Sequence, residues 1–314
     1  MRALITGATG FIGSYLFSLL HEEGYEVYGT HFGSDLSEEF GIMPADKLLK
    51  CDIRDGKTVD SIVEMVSPDR IYHLASQSLP TVSWRDPVTT VMTNIVGTIN
   101  VFESVIKHKL DARILVACSS AEYGSSIQSD IPVKEEHPLK PLHPYGVSKV
   151  AQDMLAFQYF ANFGVSTVRI RIFNTTGPGK TNDVCSDFAR GIIEAEGDNS
   201  LPIIKVGNLN TKRDITDVRD TVKGLHLAME KGVMGEVYNL SRGEAYQISH
   251  ILTILLSLSR KHIDVESDQG LLRPTDEPVI VGNSDNLHMQ TGWQPTIPIE
   301  KTLEDTLNYW RERT

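Results

Sequence analysis

Three cysteines are few for a chain of 314 residues, and Cys51, Cys118 and Cys185 stand far apart with no CxxC spacing. That spacing excludes a disulfide framework and a paired-cysteine zinc site, and no metal centre is expected. Long apolar runs are missing as well. The most apolar later stretch, ISHILTILLSLS at 248–259, is too short to cross a bilayer, and the opening MRALITGATG carries no charged-then-apolar signal. A cytoplasmic protein with no membrane partner is the expectation. There is no basic stripe either: a formal net charge of −11 is spread along the chain, which argues against nucleic acid as a partner. Any anionic ligand must therefore be held by a few placed cations. Proline- and glycine-rich linkers, low-complexity tracts and repeats of about 20 to 50 residues are absent, so no segment reads as disordered.

What is present has a rhythm. Apolar runs of strand length at 2–6, 25–30, 47–52, 70–75, 113–119 and 166–173 alternate with amphipathic stretches of helix length near 11–23, 56–66, 88–108 and 145–162. Such alternation predicts an α/β fold with a doubly wound parallel sheet of Rossmann type. It fills residues 1–173 as a dinucleotide-binding domain, with residues 174–314 as a smaller α/β substrate lobe. After 174 the rhythm loosens: NTTGPGKTND reads as loop and PIIKVGN as a short strand. A helix over 217–232 and a strand over 236–241 follow, and parts of 213–240 are expected to return to the main sheet.

Directly after the first strand stands Gly7-Ala8-Thr9-Gly10-Phe11-Ile12-Gly13, a GxxGxxG spacing that opens a helix. Gly7 and Gly10 permit a tight turn and close approach of a pyrophosphate, and Gly13 lets helix and strand pack closely. At the end of the second strand an NAD site usually places an acid for the ribose hydroxyls, but the chain reads Gly-Thr-His-Phe-Gly-Ser over 29–34. That leans toward NADP(H), with His31 and Ser34 facing the extra phosphate. NAD(H) stays open as the alternative, because no arginine follows and Asp35 is close. Asp52, closing the third strand, is a candidate adenine contact or an ordinary strand-end turn residue.

PYGVSK at 144–149 places Tyr145 and Lys149 four apart, on one face of a helix. A phenol with an ordinary pKa near ~10 is a poor proton carrier at neutral pH, and a neighbouring ammonium brings it within use. Ser119, at the end of the fifth strand, is the hydroxyl that would hold a substrate oxygen.

Taken together, TGATGFIG, CDIRD, HLASQS, NIVGTINV, SSAEYG, PYGVSK and RIFNTTGPG resemble the extended short-chain dehydrogenase/reductase family, over nearly the whole chain. VGNLNTKRDITDVRD, LLRPTDEP and TGWQP are similar to its branch acting on GDP-linked 6-deoxyhexoses. The resemblance implies catalytic roles for Ser119, Tyr145 and Lys149. It also implies cofactor contacts at Gly7, Thr9, Gly10, Phe11, Ile12, Gly13, His31, Asp52, Ile53, Leu74 and Ala75. Asn174, Arg213 and Arg273 would meet the nucleotide diphosphate, Gln77 and Ser83 would lie near the hexose, and Ser120 and Asn208 would complete the substrate site. The same family commonly pairs helices equivalent to 88–108 and 145–162 between two subunits, so a homodimer is expected, with Val91, Ile95, Leu155 and Phe157 as apolar candidates for the contact.

CSSAEYG at 118–124 separates two activities. GDP-mannose 4,6-dehydratases carry a glutamate two places after the strand-end hydroxyl, because loss of the C5 proton and the C6 hydroxyl needs an acid–base group there. Here that position is Ala121. Glu122, one residue on, should face the opposite side if the strand continues. Reduction of a C4 ketone needs no such group. A GDP-4-keto-6-deoxy-D-mannose reductase is therefore the favoured expectation, making a GDP-6-deoxyhexose such as GDP-D-rhamnose. The dehydratase comes next, then a nucleotide-sugar 4-epimerase and a non-catalytic cofactor sensor.

Overall fold

The computed structural model describes residues 1–33, 43–124, 130–197, 202–271 and 278–313. The first half lays down β1 (Arg2–Thr6), α1 (Phe11–Glu22), β2 (Glu26–His31), β3 (Leu48–Lys50), α2 (Gly56–Val66) and β4 (Arg70–His73). Then come α3 (Pro80–Arg85), α4 (Pro87–Val91), α5 (Gly97–Lys107), β5 (Arg113–Ser119), α6 (Pro144–Phe163) and β6 (Thr167–Ile172). All six strands pair in parallel, and the apolar runs of β1, β4, β5 and β6 are buried on both faces, as a helix-covered sheet requires. One face packs around Leu16, Leu20, Val222 and Leu225, the other around Val63, Val101, Phe102 and Ala156.

Local chemistry explains where the helices begin and end. Asp55 caps α2 by accepting from Lys57 N at 3.1 Å and from the Thr58 hydroxyl at 2.6 Å. Proline at the first position starts α6, and Gly164 in the left-handed region ends it. The helix expected over 88–108 is interrupted: Met92–Val96 form a π-helical turn between α4 and α5.

Residues 174–313 continue through β7 (Asn174–Thr176), α7 (Val184–Gly197), β8 (Ile203–Val206), β9 (Lys212–Asp217), α8 (Val218–Lys231) and β10 (Val237–Leu240). They end with β11 (Ala245–Gln247), α9 (Ile248–Ser257), β12 (Asp264–Ser267), β13 (Val279–Ile280), α10 (Asp285–Thr291) and α11 (Ile299–Arg311). β10 joins the main sheet beside β6, giving the order β10-β6-β5-β4-β1-β2-β3. Asn174–Thr176, read above as loop, pair as a strand with β9, because an extended segment beside β9 satisfies backbone groups that a loop would leave open. β9 also pairs with β11 and β13, β8 pairs with β12, and α7, α9 and α11 enclose a further core around Ile192, Leu252 and Leu303. Asp214 ties these pieces together, accepting from the backbone N–H of Arg242, Gly243 and Gly282 at 2.8, 2.9 and 3.2 Å. Among the described residues no helix is long and apolar enough to cross a membrane.

Candidate active site

The strand order reverses between β1 and β4, and a ligand crevice belongs at such a switch point. A cavity of about 840 Å³ opens there, lined by the 7–13 loop, the ends of β2 to β6, and Tyr145 and Lys149 of α6. Gly7 has φ +73°, and a Cβ on it would stand 2.9 Å from Ala75 Cα, while one on Gly13 would strike the carbonyls of Gly7 and Ala8. The loop thus leaves room for a ligand backbone to come close, and α1 begins at Gly10 with no side chain capping it. Free N–H groups at a helix start suit a pyrophosphate.

Ser119 and Tyr145 both line the cavity, near enough for the Ser119 hydroxyl to act on the phenol. Burial pushes the Tyr145 phenol up to about 12, and the Ser119 side chain pulls it back. Lys149 is buried below them, donates to the Ala117 carbonyl at 2.8 Å, and lies 5.7 Å from the centre of the Tyr145 ring. Burial lowers its ammonium to about 8. The helix places these groups in reach of one another, and the sheet supplies Ser119.

The chain leaves strand geometry at Ser119 and makes a 3₁₀ turn over Ser120–Glu122. Ser119 Oγ accepts from Ala121 N at 3.2 Å while Glu122 Oε1 accepts from Ser119 N at 2.8 Å, a reciprocal cap. Ala121 consequently lines the cavity, and Glu122 is fully buried behind it. Its other oxygen is 3.2 Å from Arg171 Nε, which also meets Asp153 at 2.8 Å. Burial first, then the Asp153 carboxylate, push the Glu122 carboxyl well above its usual range, against the pull of Arg171. Cys118, Glu122 and Asp153 bring ligand atoms within 4.8 Å of one another, but Arg169 and Arg171 already supply the compensating charge.

The other sequence candidates divide. Thr9, Gly10, Phe11, Ile12, His31, Asp52, Ile53, Leu74, Ala75, Ser120, Asn174 and Arg213 line the cavity. Gln77 lines it too, yet its amide is engaged within its own loop, with Leu79 and with Thr90 at 2.9 Å. Ser83 is fully buried, donates to the Pro80 carbonyl and does not line the cavity, and neither does Asn208. Ser34, Asp35 and Arg273 lie outside the described residues.

Several lining or supporting groups escape a reading by spacing. Arg54 reaches the cavity wall from within CDIRD and forks onto Asp52, so the Asp52 carboxylate is already partnered. Lys180 brings its ammonium within 5.0 Å of the Phe11 ring centre. Asn94, in the π-helical turn, joins the Gln77 backbone at 2.8 Å to the Ser148 hydroxyl at 2.8 Å, tying the loop after β4 to α6. His73 is held between Thr6 and Thr98, both at 2.9 Å, and burial pushes it down to about 3. His143 caps α6 and lines the cavity.

The family model for GDP-mannose 4,6 dehydratase matches residues 4–306. The chain belongs to that family. It is 26% identical over 313 residues to the GDP-6-deoxy-D-mannose reductase of Pseudomonas aeruginosa, covering 99% of this chain and 98% of the other. It is 28% identical to GDP-mannose 4,6 dehydratase 2 of Arabidopsis thaliana, covering 96% and 84%. Among solved structures, that of RMD from Pseudomonas aeruginosa complexed with NADPH superposes with a TM-score of 0.88 at 26% identity, covering 100% of this chain and 99% of the other. The chain is thus similar to proteins named for both activities that the segment 118–124 separates.

Proposed function

We propose that this member of the family reduces the C4 ketone of GDP-4-keto-6-deoxy-D-mannose, with NADPH favoured over NADH, to a GDP-6-deoxyhexose such as GDP-D-rhamnose. The observation that carries this is the pair of neighbours at 121 and 122. Ala121 lines the cavity with Ser119 and Tyr145, and the adjacent Glu122 carboxyl is buried against Arg171 and the Ser119 N–H. Elimination of water across C5 and C6 calls for an acid–base group two places after the strand-end hydroxyl, and Ala121 offers none there. Ketone reduction needs none.

In that reaction the nicotinamide cofactor, when bound, supplies the hydride that C4 accepts. Ser119 holds the ketone oxygen, Tyr145 delivers the proton to it, and the Lys149 charge steadies the phenolate left behind. Asn174, Arg213 and Lys180 are the groups proposed to meet the diphosphates, since a chain of net −11 needs local cations there. We further propose that residues 174–314, apart from the segments returning to the main sheet, form the sugar-nucleotide lobe. Two copies would pair through the exposed apolar faces of α4 and α6.

The test is to incubate the purified protein with GDP-mannose plus NADP⁺, and separately with GDP-4-keto-6-deoxymannose plus NADPH or NADH, following products by mass. Gain of two hydrogens on the keto sugar, with GDP-mannose untouched, is expected. Loss of water from GDP-mannose would overturn the reading.

A further inference from the structure

α6 carries Tyr145 and Lys149, and the residue that starts it is unusual. Ser, Thr, Asp and Asn are the preferred N-caps, since a short side-chain oxygen accepts a free N–H of the first turn. This chain uses His143: its Nδ1 accepts from Gly146 N at 3.0 Å. Capping alone does not call for an imidazole.

The bond fixes the state of the ring. An Nδ1 that accepts carries no proton, so the neutral ring bears its proton on Nε2. Burial holds the imidazole below its ordinary pKa, which keeps it neutral at pH 7. His143 is stacked against Tyr145, with ring centres 5.9 Å apart and planes 20° from parallel, and it lines the same cavity. Among the described residues Nε2 has no hydrogen-bond partner. A half-buried donor with its tautomer set, standing beside the proton-delivering phenol, is placed to receive an oxygen from a ligand.

We propose that His143 is a substrate-contacting residue whose Nε2–H donates to a hexose hydroxyl next to the carbon held at Tyr145. It is one side chain with two tasks: Nδ1 fixes the start of the helix that carries the reacting groups, and Nε2 recognises the sugar they act on. A sugar hydroxyl is the matching acceptor, because it is neutral and has a lone pair to offer. This inference rests on the sugar-nucleotide reading above and adds the group that would recognise the sugar beside its reacting carbon.

The experiment uses the full chain with NADP⁺ present and compares wild type with His143→Ser, which keeps a good cap and removes the ring donor. His143→Thr, which also caps, repeats the comparison in case serine lowers stability. Calorimetric titration with GDP-mannose and with GDP reads the two halves of the ligand separately. About tenfold weaker binding of GDP-mannose, with GDP affinity unchanged, is expected. Equal GDP-mannose affinities, an equal loss for GDP, or a wild type that binds no GDP-mannose would each overturn the proposal. A wild type that shows the His143 dependence but does not reduce the keto sugar would overturn the reductase reading and leave this one standing.

Discussion

Lys149 shows at the scale of one residue how the reacting groups set stability against use. Its ammonium is buried, and burial lowers its pKa from 10.5 to about 8. The unfolded chain keeps that proton up to about 10.5 and the folded chain gives it up above about 8, so the unfolded state holds more protons between those values. Stability from this group therefore rises with pH across that window, and below pH 8 the cofactor-free protein carries the whole cost, roughly 3 kcal/mol. Lys149→Met should raise the melting temperature at pH 7 by a few degrees, less any loss from the vacated Ala117 carbonyl, and the gain should vanish by pH 10. The same substitution should abolish turnover. In the wild type, the rate of ketone reduction should fall above about pH 8 as Lys149 loses its charge, while Tyr145, raised to about 12, stays protonated. A rate flat to pH 10, or a Lys149→Met protein less stable at pH 7, would sink this account.

Among the elements, β9 and its partners depend on one carboxylate. Asp214 is fully buried and receives three backbone N–H groups from two separate turns. Burial raises it to about 6 against the pull of those donors. Asp214→Asn turns one acceptor into a donor that faces an N–H, so a loss of about 2–3 kcal/mol in denaturant unfolding is expected. This clasp was invisible in the sequence, where Asp214 is one acid among several in NTKRDITDVRD. The glycine loop and the Tyr145–Lys149 pair were legible because their chemistry lies within one turn of chain. Asn94 was not, since its partners Gln77 and Ser148 come from distant segments and the π-helical turn that aims it leaves no mark in the apolar periodicity. Glu122 lies between these cases. Strand parity places it opposite Ala121, but the chain has already turned at Ser119, and the cap onto Ser119 N is what draws the carboxyl inward. Arg54 is silent in the sequence because a cation for the adenosine phosphate belongs at the end of the second strand, and this one stands after the third.

Taken as a whole, the molecule leaves apolar side chains uncovered on one flank. Val88 is 71% exposed, Phe157 47% and Met154 43%, with Trp84, Met92 and Val147 nearby in sequence and likewise exposed. Patches of this kind mark contact surfaces. Light scattering after gel filtration should give the mass of two copies, and the pair M154E/F157E should give one while keeping its unfolding free energy within about 0.5 kcal/mol of wild type. A wild-type monomer would remove the proposed pairing. The position of β10 has a different consequence, one of order in time. The ribosome completes β6 well before it makes residue 237, so the growing chain holds six of the seven strands of the main sheet, with β6 as an open margin. That margin is the kind of template on which nascent chains stick to one another. Until Val237–Leu240 emerge and cover it, the half-made protein is at its most vulnerable, and the last strand of the sheet is the one that makes it safe.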